Sequence, residues 1–516
     1  MRAVVRHFIL FAPLLAGAST QEPVSLSDRI DREVAGISGF NRATAAPRCD
    51  DGEYLRRVML DLVGYPPTAD ETSGFIADGT PDKRAAVVDR LLTTERFGDF
   101  WARRWMGVFF GNPRAPREGL FGRLESQEQE RILDRFHRWL SGRLRRDWAW
   151  TDTVHDVLIA DGSPDSSPAL AYKLVLDGWP RRPFLEGRAV SHFMGIDLSC
   201  TGCHDHPFDY WRVDDGFSIS AFSNGRKIEV GAKGIEVREG PEPAGRPIPG
   251  DKGYYEYFAA DRQLFPPAFP KLGKPAKGEI LARAFARLMI SPANVQLRTA
   301  FVNRIWAWLL GRGIVSPVDE FNLKNKPLSP NLLNLLTSGF AENGHSLRFL
   351  IRAICATQAY QRKCEAAPAF AKVTFSRAVI GPLCPEQVVC SLEVATLGKP
   401  RFDAARVQEL AERMSRSVLQ AFPTSQGVPD VRGLAWIADS DEVWSMIRDG
   451  AVVKALAALQ DDPKIRVKAM FLAALSREPS ALEINRYAAF MAGKGADGLR
   501  DAYWTLLNSP EFLTRH

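Results

Sequence analysis

The sequence predicts a mainly α fold: a multi-helical two-domain array with a small β-hairpin or irregular insert and a repeated helical unit near each end. Three observations carry this. Apolar residues recur at helical spacing along most of the 516 residues. The pattern of residues 60–71 returns at 472–483. Strand-like alternation is confined to a short stretch after residue 223, which then turns rich in Pro and Gly.

The chain begins MRAVVRHFILFAPLLAGAST. Arg2 and Arg6, an apolar run from Phe8 to Leu15 and the small residues Ala16-Gly17-Ala18 predict a secretory signal peptide over 1–18, cleaved near Ala18. No later stretch approaches the about 20 apolar residues of a membrane span. The expected location is periplasmic or secreted. With 67 basic and 61 acidic residues the net charge is +6, or +4 once Arg2 and Arg6 are gone, which is too mild to suggest a nucleic-acid binder. Residues 19–48 read as a linker.

An N-terminal helical domain is predicted over 49–222. In "EYLRRVMLDL" (53–62), Leu55, Val58, Met59 and Leu62 share one helical face. "GYPPTADE" interrupts it, and Thr68 with Glu71 forms a capping-box pattern that opens a second helix. Residues 82–110 read as further helix, rich in aromatics. The C-terminal copy repeats this order. Pro479 matches Pro67, Ser480 matches Thr68, Glu483 matches Glu71, and "LLNSPEF" (506–512) echoes "LLTTERF" (91–97).

A Pro/Gly-rich insert with a possible β-hairpin covers 223–278, and a C-terminal helical domain covers 279–516. Within that domain, Ser291-Pro292 predicts the start of a helix that Gly311 ends. Ser329-Pro330 opens the next helix and Ser346 a third, "LRFLIRAICATQAY", in which Cys355 reads as a small buried hydrophobe. Three short-linked helices resemble a helix-turn-helix module, but their apolar periodicity is that of a small bundle. In "NRIWAWLLGRGIVSPVDEF" (303–321), Asn303, Arg304, Trp306, Arg312 and Asp319 read either as a substrate-facing cluster or, the favoured reading, as structure, with Arg304 or Arg312 pairing with Asp319 to lock helix ends.

The candidate site is "SCTGCHDHPFDYW" (199–211). Cys200, Cys203 and His204 form C-x-x-C-H. Covalent haem c needs this spacing: two thiols at i and i+3 add to the two vinyl groups, and the next residue places imidazole beneath the iron. Phe208 and Trp211 can wall the ring, and Arg212 can meet a propionate. Asp205 and Asp209 read equally well as caps for neighbouring helices. For the sixth iron position, Met194 and His192 are the candidates closest to the motif; Met106, His137 and His155 are others. The same atoms admit rival readings. Zinc would need a second ligand pair, and the chain has no other C-x-x-C or H-x-x-H. A redox disulfide would want a βαβ context. Removing the motif pair from seven cysteines leaves five, so at least one lacks an intramolecular disulfide partner.

The stretches "LRRVMLDLVGYPPT", "RFGDFWARRW", "FMGIDLSCTGCHDHPFDYW", "AFVNRIWAWLLGRGIVSPVDEFNLKNKPLSPNLLNLL", "LIRAICATQAYQR" and "TLLNSPEFLTRH" occur here in one order. In them the chain resembles, over about residues 49–516, the large secreted proteins of planctomycetes and related bacteria that carry two paired domains of unknown function and are often described as cytochrome C-type. The resemblance implies a c-type haem on Cys200, Cys203 and His204 but supplies no established reaction. Many such proteins carry an additional N-terminal cytochrome-like domain; this chain has a single C-x-x-C-H.

The leading expectation is a mono-haem c-type cytochrome-like protein in electron transfer or redox sensing. Its partner would be a redox protein or a small electron donor or acceptor. A haem-dependent enzyme, peroxidase-like or relaying to a second site, is one alternative. A cell-surface scaffold or binding protein without haem is another. No nucleophile elbow, phosphate loop or H-E-x-x-H is present.

Overall fold

The computed structural model describes residues 23–111, 119–177, 185–231, 234–241, 265–365, 374–401, 409, 438–459 and 462–515. The predicted signal peptide therefore lies outside the described residues. Among those described there are 22 α-helices and two two-stranded sheets, a mainly α fold. Among the described residues no helix is long and apolar enough to cross a membrane.

The first run of helices is α1 (Pro23–Ala35), α2 (Asp51–Val63), α3 (Ala69–Ala77), α4 (Lys83–Leu92), α5 (Glu95–Phe110), α6 (Gly119–Gly122), α7 (Ser126–Arg145), α8 (Trp150–Ile159), α9 (Ala171–Asp177), α10 (Leu185–Met194) and α11 (Val213–Ser220). The hairpin β1 (Arg226–Gly231) and β2 (Gly234–Glu239) follows, antiparallel with Ile228 opposite Val237. Next come α12 (Leu281–Met289), α13 (Val295–Leu310), α14 (Pro330–Glu342), α15 (Leu347–Cys355) and α16 (Gln358–Gln361). The last run is β3 (Gly381–Pro382), α17 (Pro385–Leu397), α18 (Asp441–Asp449), α19 (Ala451–Ala458), α20 (Pro463–Leu475), α21 (Ala481–Met491), α22 (Gly495–Leu507) and β4 (Thr514–Arg515).

Burial of the apolar faces builds two cores. The larger takes side chains from Leu26 through Phe375, so α1, α2 and α4–α16 share it, and half-buried Phe75 of α3 packs against it. Its centre is aromatic: Trp105 stacks on Phe301 at 5.6 Å and lies 4.3 Å from Trp150. The smaller core takes α17–α22 and Leu513, and Leu60 of α2 reaches into it. Helices α13, α14 and α15 lie inside the larger core, as the bundle reading requires.

The repeat is visible in atoms. Thr68 and Glu71 form a reciprocal capping box at the start of α3, and Ser480 and Glu483 form the same box at α21. Gly64 ends α2 in the left-handed region at φ 78°, and Ser476 ends α20 there at φ 57°. Phe97 N–H donates to Thr94 Oγ1, as Phe512 N–H donates to Ser509 Oγ. The two copies also touch. Arg56 of α2 is fully buried and donates to the carbonyls of Ala474 and Phe512. At the end of the described chain, β4 pairs with β3, and Arg515 reaches Asp61.

Three helix limits differ from expectation, each through a side chain that competes for backbone. Residues 82–110 are two helices, because Thr94 turns back to cap α5. Ser346 caps α15 as predicted, but Thr357 starts a separate α16. Ser291-Pro292 does not open α13. Ser291 closes a turn with Ala293 and Asn294, and the helix begins at Val295. Asn294 is drawn away from capping by Met289, whose carbonyl accepts its Nδ2 at 2.7 Å.

The hairpin is held to the helices by a buried ionic cluster. Lys173 of α9 and Arg226 of β1 both contact Glu239 of β2, and Arg226 also meets Glu186 of α10. Val237 exchanges both backbone hydrogen bonds with Gly162, at 2.7 and 2.8 Å.

Candidate functional site

The apolar face of α10 delivers the motif. The helix ends at Met194, and Gly195, at φ 64°, turns the chain out of it. Ile196 and Leu198 are buried, and Ser199–Gly202 forms a single 3₁₀ turn. Thr201, the residue between the cysteines, faces inward and donates Oγ1–H to the Leu198 carbonyl at 2.7 Å. It packs so closely under α11 that a Cβ on Gly216 would lie 2.2 Å from its Oγ1. With Thr201 buried, the other side chains of the motif lie toward solvent: Cys200 is half-buried, and Cys203 and His204 are exposed. The Cys200 carbonyl accepts both Cys203 N–H and His204 N–H at 3.1 Å.

The two histidines of the loop hold opposite tautomers. His204 Nδ1 lies 2.7 Å from the Asp205 carbonyl. A carbonyl only accepts, so Nδ1 carries the proton and the Nε2 lone pair is left outward. His206 Nδ1 instead accepts from Phe208 N–H at 3.2 Å, which in the neutral ring puts the proton on Nε2. A metal held through Nε2 therefore suits His204 and not His206. The residues fit a thioether-bound haem on these counts: two cysteines on one turn that are not fully buried, and an exposed imidazole whose neutral form carries its lone pair on Nε2.

The rest of the loop is fixed by its own backbone. His206 N–H donates to the Trp211 carbonyl at 2.7 Å, and Asp205 Oδ1 accepts Val213 N–H at 2.9 Å, capping α11. Asp209 Oδ1 accepts Tyr210 N–H instead of capping a helix. Phe208 is 45 % exposed with Lys324 Nζ 3.9 Å from its ring centroid, and Trp211 is half-buried against the larger core. Arg212 is exposed, its N–H bonded to Asp215 Oδ2 at the head of α11.

The sixth-ligand candidates sit elsewhere. Met194 is buried, its sulfur 3.6 Å from Asn294 Nδ2. His192 Nδ1 lies 2.9 Å from the Tyr172 hydroxyl, and burial, with the charges of Arg188 and Arg304, pushes its pKa down to about 3. His137 Nε2 bonds the Asp99 carbonyl, His155 pairs with Asp156, and Met106 packs against the core. Among the described residues no hydrogen bond or ring contact joins any of them to His204, and no group of three His, Cys, Asp or Glu side chains is gathered for a metal ion.

Sequence reasoning missed two participants. Tyr210 is 70 % exposed with Lys271 Nζ 5.4 Å from its ring centroid; Lys271 itself stands at φ 65°. The other is the segment 317–325 of the C-terminal half, which touches the motif loop. Its one visible signal was Asp319, and Arg304 does pair with it, Nη1 lying 3.2 Å from Oδ2.

Fold and site together define a helical protein with two cores that presents a C-x-x-C-H turn on its surface. Comparison with known families places two domains in it. Residues 29–183 match PSCyt2, a protein of unknown function (DUF1549), and residues 282–396 match PSD1, a protein of unknown function (DUF1553). The C-x-x-C-H turn lies between the matched regions. No curated protein and no solved structure matches the chain.

Proposed function

We propose that this chain is an exported mono-haem c-type protein of the planctomycete cytochrome-like kind, working in electron transfer or redox sensing. Cys200 and Cys203 would hold the porphyrin through thioethers, and His204 would ligate its iron through Nε2. The bound group would supply a one-electron couple.

The observation that carries this reading is the His204–Asp205 hydrogen bond beside two accessible thiols. It holds the exposed imidazole by Nδ1 and leaves Nε2 free of that contact. Thr201 orients the turn from beneath, while Phe208 and Tyr210 give it an aromatic rim. Arg212, Lys271 and Lys324 are cations available to carboxylates at that rim.

The test is expression in a host with periplasmic haem maturation, followed by intact mass and visible spectra. One haem mass per chain and a Soret band that survives acid–acetone extraction are expected. The double variant Cys200→Ala/Cys203→Ala should lose both. A processed wild-type protein without tetrapyrrole, or a double variant that keeps covalent pigment, would overturn the assignment.

A further inference from the structure

The motif loop is gripped at both ends by a single segment from the other half of the chain. Phe321 N–H donates to the Gly195 carbonyl at 2.9 Å, just before the C-x-x-C-H turn. Leu323 N–H donates to the Phe208 carbonyl at 3.2 Å, just after it, and Lys324 lies over the Phe208 ring. We infer that residues 317–325 act as a clamp that positions Cys200, Cys203 and His204, so that the C-terminal half sets the geometry of a site carried by the N-terminal half.

The clamp is built to be stiff. Asn303, fully buried on α13, donates Nδ2–H to the Val315 carbonyl and accepts Val315 N–H, both at 2.9 Å. Arg304, next along the helix, pairs with Asp319. Inside the segment, Asn322 Oδ1 accepts the N–H groups of Lys324 and Asn325 at 3.0 and 2.9 Å, and Asn325 Nδ2 donates to the Glu320 carbonyl at 2.9 Å. Contact with the motif side is close: a Cβ on Gly195 would lie 2.9 Å from the Phe321 ring and 3.1 Å from the Val318 carbonyl. Two anchors that bracket a short turn remove most of its backbone freedom, which is how a binding constellation is held in place before its ligand arrives. The residues of 317–325 are thus positioning residues. The consequence for haem uptake rests on the proposed function above; the grip itself does not.

The experiment is amide hydrogen exchange on the full chain made without haem maturation, comparing wild type with Asn322→Ala, Asn322→Asp and Gly195→Ala. Exchange over 199–208 should quicken at least tenfold in Asn322→Ala and Gly195→Ala, while α2 and α13 keep wild-type protection. Asn322→Asp, which keeps the acceptor oxygen, should stay near wild type. Unchanged exchange over 199–208 in Asn322→Ala overturns the clamp, whether or not Gly195→Ala folds. In a haem-maturing host the loosened variants should carry at least threefold less covalent haem per chain. A wild type that takes no haem yet shows the exchange pattern supports the clamp while sinking the haem reading.

Discussion

Arg515 Nη1 lies 3.0 Å from Asp61 Oδ1 and 3.2 Å from Oδ2, joining the last strand of the described chain to the last turn of α2. The Tyr360 hydroxyl adds a bond to Asp61 at 2.8 Å, and all three residues are buried. Removing one member of a buried ion pair strands the other and costs about 3–5 kcal/mol. Arg515→Ala and Asp61→Leu are each expected to lose that much in chemical denaturation. Asp61→Leu combined with Arg515→Met should lose clearly less than the two single losses added.

The repeated capping boxes give a second prediction. Thr68→Ala and Ser480→Ala should each cost about 1 kcal/mol. Glu483 adds a pH signature. Hydrogen bonding from Arg477, helped by the Ser480 N–H and hydroxyl, lowers its pKa to about 2. A depressed carboxyl stabilises the fold above its ordinary pKa near 4.5 and loses that contribution as the pH falls toward 2. The Tm deficit of Glu483→Gln should therefore shrink over that window, and a deficit constant from pH 7 to 2.5 would contradict it.

His192 acts in a neighbouring window. Its folded pKa near 3 lies below the ordinary 6.5, chiefly through burial. Between those values the unfolded chain binds a proton that the folded chain refuses, so stability falls as the pH drops. His192→Phe keeps the ring volume and deletes the titration. Wild type should lose Tm faster than this variant below pH 6.5, and parallel acid limbs would count against a neutral ring at this position.

Close packing beneath the motif gives the fourth. Gly216→Ala would place a Cβ 2.2 Å from Thr201 Oγ1 and 2.8 Å from its Cβ. Overpacking of this kind costs about 1–3 kcal/mol. Thr201→Ala removes the obstructing hydroxyl, so the double variant should be more stable than Gly216→Ala alone. A strictly additive double-mutant cycle would show that the two side chains do not meet.

Local signals in the sequence carried far. The capping boxes at Thr68 and Ser480, the helix starts at Ser329 and Ser346, and the stop at Gly311 all depend on neighbours within a few residues, and the structure has them. Helix α2 shows where that reading ends. Its spacing announced one apolar face, yet Arg56, Arg57 and Asp61 on the other face are buried too. Apart from Glu53, one turn before Arg57, their partners include Ala474, Phe512, Tyr360, Arg362 and Arg515, roughly 300 or more residues away. No periodicity within α2 records such partners. The site divides in the same way. The spacing of Cys200, Cys203 and His204 is local and was legible; the grip of Phe321 and Leu323 on Gly195 and Phe208 is made by backbone N–H groups, which leave no mark in residue identity. Ser291-Pro292 misled for a related reason, since Ser291 closes a turn with Ala293 and Asn294 before α13 begins at Val295.

The join between Asp61 and Arg515 also has a temporal side. The acid is synthesised 454 residues before its cation. A ribosome delivering this chain from its front end releases α2 long before anything can neutralise it, and closing so long a loop is slow. The protein cannot finish maturing piece by piece as it emerges. It must wait, partly open and in need of protection from aggregation, until Arg515 has been made.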